Sequence, residues 1–463
     1  MTSQASDDDA RVAAWITANI GGTIERFERQ SRWRGGWWVD LRKDGRLHPL
    51  YVREERQEDF PPWPLEHEAG VLRVLERHGV PCPHVWGICD NPHAIVMDAL
   101  PGGTGFAGLS GEQTLSVIED YAEAVAAMHA IDPAELVALR IPMPETPEEI
   151  SLGCFKLCEA MYLKAKVRPQ PRIEFIRQWI YRNVPAHRRK VSILSVDSGQ
   201  FLHHEGKVSG LFDMEYACLG DPLIDLASIP GRMAGEGVAD IKPFFKRYAE
   251  ASGDTLEPEV VIFHRVWWGV CTPLIVTPNF TAPPASATFF EYINWYISPM
   301  LGVLLALADL KGIPVDLTRP EIASSPSRWA KIYDVMAARI PPPAADEPYP
   351  LTEQRKFIEF ARRMDAFREV EQSYIDEVAA LTGQAVGDWQ QADAALERLV
   401  LAAGPEHDDR LIQLFLPAAG RDRRSGRRPR RPAPGWSSPI PGSKPRSAPP
   451  VRPNACGNCA RRA

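Results

Sequence analysis

Apolar and polar positions follow one rhythm in the first hundred residues of this 463-residue chain and another in most of the remainder. In the first hundred they come in short runs bounded by turn formers. Gln30 to Arg42 and His48 to Arg53 read as strands joined at Lys43-Asp44-Gly45, and Ala94 to Leu100 as a strand ending in Pro101-Gly102-Gly103. Between them a run opening at Glu68 places Ala69, Val71, Leu72 and Leu75 on one face, which predicts an amphipathic helix. Beyond Gly102 the period becomes helical. Val117 to His129, Pro243 to Ser252, Val260 to Val270, Phe289 to Leu310, Ser327 to Ile340 and Thr352 to Leu381 carry it, with proline-rich breaks at Pro278 to Pro284 and Pro341 to Pro343.

One stretch interrupts the helical half. Val191 to Leu194 reads as a buried strand, and Gln200 to His203 and Lys207 to Phe212 as a strand pair turning at Glu205-Gly206. This hairpin carries Asp197, Gln200 and Asp213 toward one cleft. A polar residue just after a strand is usually a turn former, and Asp197 alone would be read that way. The second acidic cluster, F-D-M-E-Y-A-C-L-G-D-P-L-I-D-L-A from Phe212 to Ala227, changes the picture.

That cluster resembles, nearly position for position, the I-D-x-E-x-A-x-x-G-D-P-x-x-D-L-A segment of the aminoglycoside phosphotransferase and choline kinase-like family, relatives of the protein kinases. The resemblance implies that Asp213 holds Mg²⁺ against nucleotide phosphates, because a hard divalent ion must bridge phosphate oxygens and neutralise developing charge. It implies a structural role for Asp225, as an acceptor fixing the loop. The first half departs from the family pattern H-G-D-x-x-x-x-N. Ser195-Val196-Asp197 stands at H-G-D and Gln200 at the metal-binding Asn, three residues from Asp197 instead of five. Two alignments are open. Without a gap, Ser195 falls where the catalytic Asp belongs; with a two-residue deletion, Asp197 is the catalytic carboxylate. The deletion is preferred because it keeps Asp197 at the end of its strand, and Gln retains an amide oxygen for a metal.

Upstream, the same resemblance makes Arg53 the third-strand cation that reaches the α/β-phosphates and Glu68 the helix carboxylate that orients it, a pairing suited to the guanidinium fork. Gly35-Gly36 would be the phosphate-side loop, although a Gly pair between strands is commonly a turn. Gly79-Val80-Pro81-Cys82-Pro83-His84-Val85 resembles the family connector. Met97, Asp98 and Ala99 would offer backbone groups to the adenine edge. His129 ends a helix resembling the first of the C-lobe and reads as a packing or capping residue. Trp267, Trp268, Phe289, Tyr292, Trp295 and Tyr296 are candidates to line the acceptor pocket, against the plainer reading of aromatics at helical spacing as core.

Composition adds limits. With 44% hydrophobic and 24% charged residues the chain is ordinary for a soluble globular protein large enough for two cores. No internal repeat is evident. The acidic start M-T-S-Q-A-S-D-D-D-A lacks a signal-like apolar stretch, and Met300 to Leu307 is too short to cross a bilayer, so a cytoplasmic protein without a membrane partner is expected. Cys82, Cys89, Cys154, Cys158, Cys218 and Cys271 are scattered and read as reduced thiols. Cys456 and Cys459 form a C-x-x-C with no second ligand pair nearby. From Arg421 to Ala463 the chain is rich in Arg, Pro, Ser and Gly, with net charge +11 against −18 for the rest. An acidic body suits a cationic acceptor. The tail alone argues weakly for nucleic acid, and a frame-shifted end is an open reading of it.

The expected fold is α+β: a bilobal protein-kinase-like protein with a small β-rich N-lobe over residues 1–100, a large, mostly helical C-lobe over 101–415 bearing the catalytic hairpin, and a disordered basic tail over 416–463. The expected activity is transfer of a γ-phosphoryl group from ATP, or GTP, with Mg²⁺, to a hydroxyl of a small molecule. Asp197 would be the catalytic residue, Asp213 and Gln200 the metal ligands, and Arg53 with Glu68 the phosphate-positioning pair. The alternative is a nucleotide-binding pseudokinase or scaffold.

Overall fold

The computed structural model describes residues 2–30, 35–55, 63–153, 155–238, 240–280, 289–315, 327–342, 349–366 and 369–416. The basic tail, the Cys456–Cys459 pair, Cys154, residues 281–284 of the first proline-rich break and Pro343 of the second lie outside these residues.

Five antiparallel strands form the first sheet in the order β1-β2-β3-β5-β4: β1 Thr23–Arg29, β2 Gly36–Lys43, β3 Arg46–Glu54, β4 Val85–Asp90 and β5 His93–Asp98. The β2–β3 hairpin closes through the two-residue Asp44-Gly45 turn, both residues with positive φ, the geometry that matches strand twist. Alternation sets the two faces. Trp37, Val39, Leu41, Leu50, Val52, Ala94 and Val96 pack under α1 (Thr2–Asn19) through Val12, Ile16 and Ile20. The other face carries Ile95 and Met97 against α2 (Leu65–Arg77), whose Ala69, Val71, Leu72 and Leu75 are buried as the periodicity predicts. Helix α1 and strands β1 and β4 were not anticipated from the sequence.

The remaining described chain is largely helical. Helices α3 (Gly111–His129), α4 (Ala134–Val137), α5 (Pro147–Leu152), α6 (Phe155–Ala165) and α7 (Pro171–Arg182) precede four short strands. These are β6 (Ser192–Leu194), β7 (Phe201–His204), β8 (Lys207–Leu211) and β9 (Cys218–Gly220), with β6 paired to β9 and β7 to β8. Then follow α8 (Leu223–Gly235), α9 (Lys242–Ser252), α10 (Pro258–Val276), α11 (Phe289–Leu310), α12 (Ala330–Ala338), α13 (Tyr349–Ala366), α14 (Glu369–Thr382), α15 (Trp389–Ala402) and α16 (Asp408–Phe415). The fold is α+β, with a strand-rich N-lobe and a helical C-lobe.

One core joins α2, β4 and β5 to α3, α8 and α9, so it runs across both lobes; a second joins α6, α7, α10, α11, α15 and α16. Fully buried Trp267 belongs to the second core, where its indole N–H donates to His264 Nδ1 at 2.8 Å, so it does not line an acceptor pocket. Two segments, Pro258–Phe280 and Tyr292–Leu310, are long and apolar enough to cross a membrane by length and composition, longer than the Met300 to Leu307 stretch suggested. Apolar burial accounts for the first, 67% of whose apolar window lies inside the protein, whereas 33% of the second does.

Candidate functional site

The loop after β6 is fixed from below by α8. Asp225, fully buried in its first turn, accepts the N–H groups of Ser195 at 2.9 Å and Val196 at 2.7 Å, and its Oδ2 also lies 3.1 Å from His129 Nε2. Val196 has φ +65, a left-handed conformation that costs a β-branched residue about 1–3 kcal/mol and is held by these bonds. The Ser195 hydroxyl turns inward to Ser198 Oγ and Asp225. It is therefore Asp197, not Ser195, that enters the cleft. His129 completes the support, with Nδ1 2.8 Å from Tyr248 OH.

Asp213 stands beyond β8 at φ +61, ψ +48, a conformation that Asp tolerates better than most residues. The Gln200 amide nitrogen lies between the two carboxylates, 3.1 Å from Asp197 Oδ2 and 3.1 Å from Asp213 Oδ2. An N–H₂ group between two carboxylate oxygens marks a place where a cation fits. Asp213 and Gln200 can hold a hard divalent ion, since a half-turn of the amide presents its oxygen. Among the described residues no group of three or more His, Cys, Asp or Glu is placed to hold a metal.

Arg53 connects this cluster to the N-lobe. Its Nη1 donates to Asp213 Oδ1 at 2.5 Å and its Nη2 pairs with buried Glu68, whose other oxygen accepts the Met214 N–H at 3.2 Å. Burial alone would lower the Arg53 pKa, but the charges of Glu68, Asp213 and Glu215 outweigh it and hold the guanidinium above its ordinary value. Removing Glu68, the more buried of the two acids, would leave that charge short of its main partner.

Gly36 lies opposite Arg53 in the β2–β3 register, and the Gly35 carbonyl accepts the Glu54 N–H at 3.0 Å. The glycine pair thus forms the base of the β1–β2 connection beside Arg53; the loop's tip, residues 31–34, lies outside the described residues. Met97 is buried on the α2 face. The N–H groups of Asp98 and Ala99 donate to His84 O and Pro49 O, both at 2.9 Å, so neither is open to a base edge. That corrects the expectation for these two donors. The backbone continues the ladder one residue past β5, and the next N–H, that of Leu100, makes no hydrogen bond among the described residues.

Sequence reasoning missed two features. Tyr51 and Trp38 face each other across β3 and β2 on the cleft side, ring centroids 4.6 Å apart, and Tyr51 shares its strand face with Arg53. The L-Y-V-R alternation held that signal. Arg232 on α8 grips Asp197, with Nε donating to Oδ1 at 3.2 Å and Nη2 to Oδ2. No motif points to Arg232, which is 35 residues from its partner.

Residues 37–258 match the model of the phosphotransferase enzyme family. This stretch belongs to that family. The phosphotransferase region so defined contains the whole carboxylate cluster and ends at the start of α10. No curated protein matches the sequence. Similar solved structures include a Ralstonia eutropha chain assigned as an aminoglycoside phosphotransferase, 16% identical with TM-score 0.49, covering 63% of this chain and 95% of that one. Others are a choline/ethanolamine kinase family protein from Mesorhizobium loti (15% identical, TM-score 0.46, 65% and 95% covered) and the macrolide 2′-phosphotransferase MphH from Brachybacterium faecium (15%, 0.45, 64% and 98%).

Proposed function

We propose that the phosphotransferase region moves the γ-phosphoryl group of ATP or GTP to a hydroxyl of a small molecule. The observation that carries this reading is the convergence of Asp197, Gln200 and Asp213 on one amide nitrogen, with Arg53 and Glu68 tied to the same carboxylate cluster. Asp213 and Gln200 would hold Mg²⁺, which when bound neutralises charge on the phosphate oxygens. Arg53 would hold the α/β-phosphates, with Glu68 fixing its fork. Asp197 would orient the acceptor hydroxyl and accept its proton. Trp38 and Tyr51 give a base a flat surface to stack on, and Leu100 a donor for its edge. Positioning and electrostatics supply most of the catalysis in such chemistry.

A nucleotide-binding protein without efficient transfer is the second reading. It is favoured by the grip of Arg232 on both oxygens of Asp197, which a reacting hydroxyl must share.

A screen of hydroxyl acceptors for Mg²⁺-dependent nucleotide consumption tests the first reading. The expected result is turnover with at least one acceptor, falling about 10²- to 10⁴-fold in Asp197→Asn while nucleotide binding persists. Tight nucleotide binding with no turnover on any acceptor establishes the second reading instead.

A further inference from the structure

We infer that Arg232 is the positioning residue of the Asp197 carboxylate, and that α8 performs here the task of a longer catalytic loop; the inference rests on the phosphotransferase reading.

Three residues of α8 on one stripe, at spacings of three and four, hold the loop Ser195 to Ser198. Asp225 takes the N–H groups of Ser195 and Val196, Ser228 Oγ donates to the Ser198 carbonyl at 3.3 Å, and Arg232 takes the Asp197 side chain. The first two contacts fix backbone. Only the third fixes the carboxylate, and the guanidinium's planar fork sets its plane as well as its place. Arg232 does not fold away from solvent; its side chain is 38% exposed, beside the 21% exposed Asp197.

The loop is shaped around this arginine. Gly199 has φ +94, and a Cβ there would stand 2.9 Å from Arg232 Cβ and 3.0 Å from its Cγ. A side chain at 199 would both strain the backbone and push the arginine stem aside. The Gly199 N–H donates at 2.6 Å to Tyr121 OH, which pins the loop from the α3 side. With only two residues between Asp197 and Gln200, the loop has little length of its own to orient the carboxylate. Charge points the same way: an incoming triphosphate meets Asp197 and Asp213 together, and Arg232 offsets the first as Arg53 offsets the second.

The test compares Arg232→Ala, Arg232→Lys, Gly199→Ala and Arg232→Ala/Asp197→Asn with the parent in steady-state nucleotide consumption, using the acceptor the screen identifies. Arg232→Ala should lower kcat about 10²-fold, as a misplaced catalytic group does, with nucleotide KM and Mg²⁺-nucleotide affinity unchanged. Arg232→Lys should recover part of the loss, and added guanidinium should restore turnover to Arg232→Ala saturably. Gly199→Ala should lose kcat without any change of charge, and the double variant should be no slower than Asp197→Asn alone. Parent-like kcat in Arg232→Ala overturns the inference and leaves the function standing. So does a loss that tracks thermal stability, resists guanidinium and adds to that of Asp197→Asn. A parent that consumes no nucleotide with any acceptor ends both.

Discussion

Two sets of aspartates lie within 30 residues of one another, each beside an arginine, and they differ in almost everything else. Asp221 and Asp225 are fully buried, and every approach to their oxygens is filled. Asp221 takes Arg188 through two bonds of 2.7 and 2.8 Å and the Leu223 N–H at 3.0 Å. Asp197 and Asp213 keep 21% and 19% of their side chains exposed and share a single amide between them. The first set is satisfied by the fold; the second is held in place yet left open to a ligand. Carboxylates of equal chemistry thus differ in whether protein groups complete their shells.

Removing a member of the buried set should produce the largest change. Asp221→Ala leaves Arg188 with only the partly exposed Glu257 and Asp254, and is expected to destabilise the protein by about 3–5 kcal/mol, read as a fall in the denaturant midpoint. A loss under about 1 kcal/mol would erase the distinction between the two sets.

Asp213→Asn is the reverse case. Asn tolerates the left-handed backbone and Glu68 still pairs with Arg53, so stability should move by less than about 1 kcal/mol. Mg²⁺-dependent nucleotide affinity should fall by about tenfold or more, measured by titration with and without the ion. A folded variant with unchanged Mg²⁺-nucleotide affinity removes Asp213 from the metal site.

The smallest effect is one of pH. Burial lowers the His264 pKa, and the Trp267 N–H donated to its Nδ1 occupies the site a second proton would need. Asp221, against the opposing effect of burial, is held below the carboxylate range by His264 and Arg188. The unfolded chain binds more protons than the folded one at both groups. Stability should therefore decline as pH falls below the ordinary histidine value of 6.5, and again below the ordinary aspartate value of 3.8. His264→Gln should flatten the first decline, by about 1 kcal/mol, in denaturant midpoints measured between pH 7 and 5. An unchanged slope would place the proton uptake elsewhere.

The sequence by itself determined the elements whose signal is local. The Asp44-Gly45 and Glu205-Gly206 turns each need positive φ at their second residue, and both form where a glycine supplies it. The α2 face and the hairpin around Asp197, Gln200 and Asp213 follow from periodicity and from a motif whose residues lie close along the chain. Helix α1 was not legible, because its few apolar residues gain meaning only against the sheet face they cover. Nor were the backbone donors of Asp98 and Ala99: whether an N–H is open depends on the chain beside it, and Pro49 and His84 decided that. Arg232 was the furthest from view. An arginine on a helix reads as a solvated charge until the fold brings back a loop 35 residues earlier in the chain, and a long-range ion pair leaves no spacing in the sequence to mark it.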